Sequence, residues 1–245
     1  MKRIVVSIVS LLLLFSVSGA AQQLDSAKRE ALEAKLAEYF EALKYESLDV
    51  QKEEADFLIE STSDSLVRQF VACAVYDHFM DSKVMGAEAV AVHVYDRWFA
   101  PGKVKMNNDM DLLNARIFAD FNRQSLIGEK APEIVMESVD GSHVELFTGK
   151  DKSGRYRVLF FYDADCAKCK LESIMLSNVL ETEDFPIDFV AIYAGDNRQK
   201  WDSYVEDRLS FEVSRTKVLH LWDPTLDSDF QRKYGVLQTP RMFLV

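Results

Sequence analysis

The chain has 245 residues, of which 48% are hydrophobic and 11% aromatic, and its formal net charge is −11. This hydrophobic content is sufficient for a packed core and excludes a disordered chain. The acidic balance repels phosphate groups, so that neither nucleic acid nor an anionic membrane surface is an expected partner. Three cysteines are too few for the disulfide scaffold of a small exported protein.

Residues 1–21 have the pattern of a secretory signal peptide. Lys2 and Arg3 precede an apolar run at residues 4–17, and small residues follow it. The run is shorter than the ~20 residues that a membrane-spanning helix needs. We therefore expect cleavage near Ala20 and Ala21, a periplasmic or otherwise exported protein, and no stable membrane insertion after cleavage. An uncleaved N-terminal anchor is the alternative.

Residues 22–125 predict a small all-α domain, because apolar residues recur there at spacings of three and four. Asp64 is the expected N-cap of the third helix. Cys73 lies on the apolar stripe of that helix and is interpreted as a buried, inert thiol. The predicted helices are residues 24–46, 50–60, 65–80, 86–99 and 109–121.

The sequence pattern changes at residues 126–132, a linker that contains Gly128 and Pro132. Asp140-Gly141 then predicts a hairpin turn. Beyond it, two continuous apolar runs flank a helical pattern, and this strand–helix–strand order indicates parallel pairing in an α/β fold. The remaining predicted elements are strands at residues 157–162, 188–194, 217–222 and 242–245, and helices at residues 166–180, 197–208 (with Asp196 as its cap) and 228–234.

Cys166 and Cys169 are three residues apart at the start of the helix that follows strand 157–162. The unpaired N–H groups and positive dipole end of a helix N-terminus favour a thiolate, the species that attacks a disulfide. Lys168 adds positive charge to this site and Asp165 opposes it. We therefore predict that Cys166 attacks a substrate disulfide and that Cys169 resolves the mixed disulfide.

Two other interpretations of the cysteine pair stay open on spacing alone. A structural zinc site usually needs four ligands, and neither His143 nor His220 has the short spacing of a ligand pair. A C-x-x-C sequence can also occur in a helix by chance. The position of the pair between a buried strand and a helix favours the redox interpretation.

Residues 128–245 resemble the thioredoxin-like family, specifically the TlpA/ResA-type exported thiol-disulfide oxidoreductases. The resemblance rests on "GEKAPEI", "VLFFYDADCAKC", "DFVAIYAGD" and "YGVLQTPRMFLV". It implies a thioredoxin-like sandwich over residues 133–245, in which Pro240 follows a cis bond, packs against the cysteines and, with Thr239, contacts the substrate backbone. It also implies no cofactor: the partners are protein thiols or disulfides and an electron donor or acceptor still to be identified.

The helical residues 22–125 resemble, more loosely, the modules that precede thioredoxin-like domains in exported Bacteroidetes proteins. That resemblance implies no chemistry for the helical part of the chain. The two resemblances together predict an all-α domain followed by a thioredoxin-like α/β domain.

The chain departs from the family pattern at two places. Asp165 stands where the family usually has Trp, and its charge is expected to raise the pKa of Cys166. The chain also ends at Val245, inside the strand that follows Pro240. The family fold continues with an antiparallel strand and a helix, so the predicted sandwich is incomplete at the C-terminus and leaves a sheet edge and an apolar face uncovered.

The sequence therefore predicts an exported thiol-disulfide oxidoreductase that acts on proteins through Cys166 and Cys169. The alternative is a binding module that keeps the fold without redox cycling and recognises a partner through its helical domain. A peroxidase of the peroxiredoxin type uses a Thr and a Pro near its cysteine, and "YDADC" lacks both.

Overall fold

The computed structural model describes residues 24–147 and 154–245. The predicted signal peptide, residues 1–21, lies outside the described residues. The chain divides into two compact units between Gly128 and Glu129, within the predicted linker. In the described ranges, no helix combines the length and the apolar character that crossing a membrane requires.

The first unit is helical, as the periodicity predicts. A π-helical turn, Tyr95–Phe99, continues α4 where the sequence predicts one uninterrupted helix, and a 3-10 turn, Arg123–Ser125, follows α5. The α-helices are α1 (Ser26–Leu43), α2 (Leu48–Glu60), α3 (Ser65–Met80), α4 (Glu88–Val94) and α5 (Asp109–Asn122).

The start of α3 shows why this helix was predictable to the residue. The Asp64 carboxylate accepts hydrogen bonds from the backbone N–H groups of Leu66 at 2.9 Å and Val67 at 3.1 Å, which confirms the predicted N-cap. Cys73 is buried in the apolar core of this unit, as predicted. Burial raises the pKa of its thiol to about 12, so Cys73 is unreactive at neutral pH.

The second unit is a mixed β-sheet with helices on both faces. Its strand order is β2-β1-β5-β4-β3-β6. The strands are β1 (Val135–Ser138), β2 (His143–Glu145), β3 (Arg157–Tyr162), β4 (Asp188–Tyr193), β5 (Lys217–Trp222) and β6 (Arg241–Leu244). The helices are α6 (Ala167–Glu183), α7 (Arg198–Arg208) and the short α8 (Phe230–Lys233).

The pairing of the strands confirms the predicted parallel arrangement of the two apolar runs that flank α6. β3 pairs in parallel with β4, and β4 with β5, whereas β1 runs antiparallel to β5 and β6 antiparallel to β3. The predicted hairpin joins β1 to β2 at Asp140-Gly141, where Gly141 has a φ of 83° and donates its N–H to the Ser138 carbonyl at 2.9 Å. A positive φ of this kind suits glycine because it has no Cβ.

Strand β3 is buried on both faces, and this explains its continuous apolar run. Phe160 and Tyr162 belong to the core that contains Cys169, on the side of α6 and α7. Leu159 and Phe161 belong to a second core, which contains Phe230 of α8. Alternating side chains of one central strand thus fill two separate layers.

The N-cap of α7 differs from the predicted one, and β6 lies at the edge of the sheet. Asn197, not Asp196, caps α7: its side chain accepts from the N–H of Lys200 at 3.0 Å, because α7 begins one residue later than predicted. Strand β6 stands at one end of the strand order, with Met242 43% and Leu244 69% exposed.

Candidate active site

Cys166 lies in the short connection between β3 and α6. The Asp163 carboxylate accepts a hydrogen bond from the N–H of Asp165 at 2.7 Å, which tightens the turn immediately before Cys166. Cys166 has an extended backbone and is the N-cap of α6, and its sulfur accepts from the N–H of Cys169 at 3.2 Å. The pair is therefore arranged across the first turn of the helix, at the carboxyl end of a central parallel strand.

The two thiols differ in their access to solvent. Cys166 is partly exposed, whereas Cys169 is fully buried, and both are free thiols. A substrate disulfide can thus reach the Cys166 sulfur directly. Cys169 can react only with a group that is already attached to Cys166, which is what the sequence predicts for a resolving cysteine.

The pKa values of the two thiols shift in opposite directions. Burial would raise the pKa of Cys166, but hydrogen bonds from the side chain and backbone of Cys169, from Thr239 and from the backbone of Lys168 outweigh it and lower the pKa. Burial raises the pKa of Cys169. Cys166 is therefore the thiol that ionises first.

Thr239 lies against the cysteine pair. The Cys166 thiol donates to the Thr239 carbonyl oxygen at 3.4 Å. The Thr239 side chain also favours the ionised form of both cysteines. Pro240 follows Thr239 through a cis peptide bond, immediately before β6. The structure thus brings Cys166, Cys169 and Thr239 together, with Pro240 next to them in the chain.

Asp165, which precedes Cys166, is paired with a lysine on another helix. Its carboxylate forms an ion pair with Lys200 of α7 at 2.6 Å, and this hydrogen bond lowers the pKa of Asp165. The pKa of Cys166 is lowered although Asp165 precedes it, because the hydrogen bonds from Cys169, Thr239 and the backbone of Lys168 outweigh burial. The contribution of Asp165 to the pKa of Cys166 therefore stays a prediction. Lys168 is exposed and acts on Cys166 through its backbone rather than through its ammonium group.

Hydroxyl-bearing side chains that were not predicted from the sequence lie near Cys169. Ser173, one turn after Cys169 on α6, shares a hydrogen bond of 2.9 Å with the hydroxyl of Tyr204 on α7. The rings of Tyr204 and Tyr162 stack with centroids 4.7 Å apart. The spacing of four between Cys169 and Ser173 could have placed these two residues on one helix face. No sequence signal pointed to Tyr204.

An open groove of about 440 Å³ lies between α6 and α7, and Asp165, the residue before Cys166, is part of its lining. Charged side chains of both signs line it, including Asp165, Lys170, Lys200 and Arg208. Within residues 24–147 and 154–245, no group of three or more His, Cys, Asp or Glu side chains could hold a metal ion.

Comparisons with known proteins agree with this geometry at the level of the fold. Residues 127–245 match the family described as the AhpC/TSA family. No curated protein matched the chain. A thioredoxin-like protein from Bacteroides caccae is similar in structure with a TM-score of 0.63 and 16% identity, over 88% of this chain and 76% of that chain.

Other solved structures are similar over about half of the chain. One is the thioredoxin domain of a thiol-disulfide oxidoreductase from Bacteroides vulgatus, with 21% identity, a TM-score of 0.40, and coverage of 48% of this chain and 79% of that chain. Another is a thiol-disulfide oxidoreductase from Bacteroides fragilis, with 18% identity, a TM-score of 0.40, and coverage of 48% and 82%. This chain has a thioredoxin-like α/β fold with a mixed sheet and an N-terminal helical region, and its residues 127–245 are similar to the AhpC/TSA family.

Proposed function

We propose that this protein is an exported thiol-disulfide oxidoreductase of the TlpA/ResA type that exchanges disulfides with protein substrates through Cys166 and Cys169. The observation that carries the proposal is the asymmetry of the pair. A partly exposed thiol with a lowered pKa caps a helix and accepts a hydrogen bond from the backbone N–H of Cys169, whose own thiol is fully buried one turn away. This arrangement suits attack by one sulfur and resolution by the other.

The reaction proceeds by two exchange steps. The Cys166 thiolate attacks a substrate disulfide, forms a mixed disulfide and releases one substrate thiolate, which takes up a proton. Cys169 then loses its proton to water and attacks the Cys166 sulfur, releasing the second substrate thiolate. The substrate disulfide is reduced by two electrons and the protein pair is oxidised by two, and the reverse sequence oxidises a substrate dithiol.

Thr239 and Pro240 are the proposed substrate-positioning residues. The Thr239 carbonyl lies 3.4 Å from the Cys166 sulfur, so a substrate chain that reaches this sulfur must pass beside Thr239. Electrons come from, or go to, a partner protein with its own dithiol or disulfide. The chemistry of the two cysteines requires no cofactor.

A redox titration tests the proposed activity. A Cys73→Ala background leaves Cys166 and Cys169 as its only thiols. After equilibration in thiol-disulfide buffers, the mass shift on alkylation should report one reversible two-electron transition, and Cys166→Ser should abolish it. A pair that stays reduced at every buffer potential would contradict the proposal and favour the binding-module alternative. Deletion of residues 22–125 would then test whether the helical region recognises a partner.

Localisation needs a separate measurement, because the predicted signal peptide lies outside the described residues. We propose cleavage near Ala20 and Ala21 and an exported mature chain whose helical region, residues 22–125, precedes the linker 126–132 and the redox domain 133–245. Fractionation of cells followed by sequencing of the protein N-terminus should find the shortened chain outside the cytoplasm. Recovery of an intact Met1 from the cytoplasmic fraction would contradict the export proposal.

A further inference from the structure

Tyr162 carries a buried hydroxyl group close to the cysteine pair. Its side chain is fully buried, and among the described residues its hydroxyl has no hydrogen-bond partner. The indole N–H of Trp201 lies close enough to oppose the rise in the pKa of Tyr162, but it does not reach hydrogen-bond geometry. A buried polar group without a partner is costly, so its retention at a redox site needs an explanation.

The position of Tyr162 places this hydroxyl near Cys169. Tyr162 ends β3, and the residue that follows it, Asp163, makes a backbone hydrogen bond that favours the Cys169 thiolate. Tyr162 and Cys169 belong to the same buried core. The ring of Tyr162 stacks on Tyr204, which is tied to Ser173 one turn after Cys169. Tyr162 is therefore enclosed between the end of β3, the Cys169 face of α6 and α7.

The charged and titratable groups that face Cys169 come from several elements. They are Cys166, which caps its own helix, Tyr162 at the end of β3, and Tyr204 on α7. The backbone of Asp163 and the side chain of Thr239 add hydrogen bonds. A negative charge on Cys169 raises the pKa values of Tyr162 and Tyr204, so both rings lie within its electrostatic reach. Burial raises the pKa of Tyr162 well above its ordinary value, and the group stays a protonated donor.

The resolving step creates a buried anion that lacks solvent. Cys169 must become a thiolate inside the core before it attacks the Cys166 sulfur of the mixed disulfide. During that attack the Cys166–Cys169 bond forms, the bond between Cys166 and the substrate breaks, and the substrate leaves as a thiolate. A buried anion is stable only where donors already point at it, and an O–H donor to an ionised sulfur is stronger than one to a neutral thiol.

We propose that the Tyr162 hydroxyl donates a hydrogen bond to the Cys169 thiolate while Cys169 resolves the mixed disulfide. This inference rests on the proposed function, and it gives Tyr162 the role of a positioning residue for the second exchange step. With both cysteines reduced, the Tyr162 hydroxyl has no hydrogen-bond partner among the described residues. It gains an acceptor only when the Cys169 thiolate forms. An interaction that exists only on the way to the transition state accelerates that step.

Tyr162→Phe tests this inference in the full chain, because it removes the hydroxyl and keeps the ring. The reduced protein is mixed with an aromatic disulfide, dithiobis(nitrobenzoic acid), which releases one coloured thiolate when Cys166 attacks and a second when Cys169 resolves. A Cys73→Ala background removes the third thiol. Stopped-flow absorbance follows both releases over a range of pH.

The variant should leave the first release unchanged and slow the second by about tenfold at neutral pH, with its pH midpoint raised by about one unit. Tyr193→Phe is the matched control. Its ring lies 5.7 Å from that of Tyr162, but the backbone of Asn197 hydrogen-bonds its hydroxyl. Both releases should keep their wild-type rates in Tyr193→Phe.

Stability provides a second readout that does not depend on redox chemistry. Removing an unpartnered hydroxyl should leave the unfolding midpoint of the reduced protein in urea unchanged or raise it. A clear loss of stability in Tyr162→Phe would mean that the hydroxyl has a partner in the dithiol form, and would overturn the inference.

The kinetic outcomes separate the inference from the proposed function. If Tyr162→Phe gives a wild-type second release and pH profile, the inference is wrong while the two-step exchange stands. If the wild-type protein releases a single equivalent and never forms the Cys166–Cys169 bond, the proposed function fails and the inference fails with it.

Discussion

The backbone N–H of Cys169 donates a hydrogen bond to the sulfur of Cys166 at 3.2 Å, so a cysteine occupies the N-cap of α6. N-cap acceptors are usually the side-chain oxygens of Ser, Thr, Asp or Asn. A neutral thiol is a weak acceptor, whereas a thiolate accepts strongly and also carries the negative charge that a helix N-terminus favours. Ionisation of Cys166 and capping of α6 therefore support each other.

This relationship predicts that Cys166 and Cys169 titrate separately. Because the pKa of Cys166 is lowered and that of Cys169 is raised, alkylation of Cys166 by iodoacetamide should have its pH midpoint below that of a cysteine in the unfolded chain. In a Cys166→Ser variant, Cys169 should react only at more alkaline pH. Mass spectrometry of peptides after timed alkylation measures both rates.

The unfolded chain is the control for this titration, because in urea both cysteines should react with the same midpoint. Equal midpoints in the folded protein would contradict the asymmetry on which the proposed mechanism depends. A midpoint for Cys169 below that of Cys166 would reverse the roles of the two thiols.

Thr239 should lower the pKa of Cys166 through its side chain as well as contact it through its carbonyl. The side chain of Thr239 favours both thiolates, so Thr239→Val, which keeps the shape and removes the hydroxyl, should raise the pKa of Cys166. One hydrogen bond to an ionised group is worth about 1.5–3 kcal/mol, and partial exposure of Cys166 places the effect at the low end, about one pKa unit. The pH profile of alkylation measures this change.

Thr239→Ser is the matched control for that substitution, since it retains the hydroxyl and removes only a methyl group. It should keep the wild-type midpoint for Cys166. If Val and Ser at position 239 shift the midpoint equally, the effect comes from altered packing of the loop, and the assigned role of the hydroxyl is wrong.

The ion pair between Asp165 and Lys200 should protect the reactivity of Cys166. In Lys200→Gln the Asp165 carboxylate loses its partner at 2.6 Å, and its uncompensated charge should raise the pKa of Cys166. Both side chains are exposed, so the effect should be a few tenths of a pKa unit and should weaken as salt is added. Alkylation of Cys166 at low and high ionic strength measures it.

The double variant Asp165→Asn, Lys200→Gln is the control, because it removes both charges. It should return the midpoint of Cys166 close to the wild-type value. A midpoint in Lys200→Gln that is independent of ionic strength would show that Lys200 acts through groove structure rather than through its charge.

The parts of the fold that the sequence predicted are those fixed by local patterns. Strands β3 and β5 begin and end at the predicted residues, because their apolar runs are bounded by polar residues, and Asp64 caps α3 as its position suggested. The start of α6 was predicted to within one residue, because its helical pattern begins soon after the apolar run of β3 ends. The π-helical turn after α4 was missed, because an extra residue in a turn leaves the apolar spacing almost unchanged.

The electrostatics of the site could not be predicted from the sequence in the same way. Asp165 meets Lys200 on a different helix, 35 residues later in the chain, and this contact depends on how α7 packs beside α6. The stacking of Tyr162 on Tyr204 depends on the same packing. Local sequence therefore located the cysteine pair and the N–H groups of its helix, whereas the contacts of Asp165 with Lys200 and of Cys166 with Thr239 depend on tertiary structure.

His220 on β5 should make the stability of the protein depend on pH. Burial lowers the pKa of its imidazole from 6.5 to about 4, and its Nδ1 atom has no hydrogen-bond partner among the described residues. Between these two values the unfolded chain binds a proton that the folded protein excludes. The free energy of unfolding therefore contains the full contribution of neutral His220 above about pH 6.5. This contribution is lost progressively as the pH falls to about 4, and the total loss is about 3 kcal/mol.

Urea unfolding of the wild-type protein and of His220→Leu at several pH values measures this contribution. Carboxylates also titrate in this range, so the difference between the two proteins isolates the histidine. The variant should lose about 3 kcal/mol less than the wild type on acidification, because a leucine side chain cannot be protonated in the unfolded chain. His143→Leu is the control, since His143 is exposed on β2, and it should follow the wild-type curve. Parallel curves for wild type and His220→Leu would mean that His220 is protonated in the folded protein, contrary to its burial.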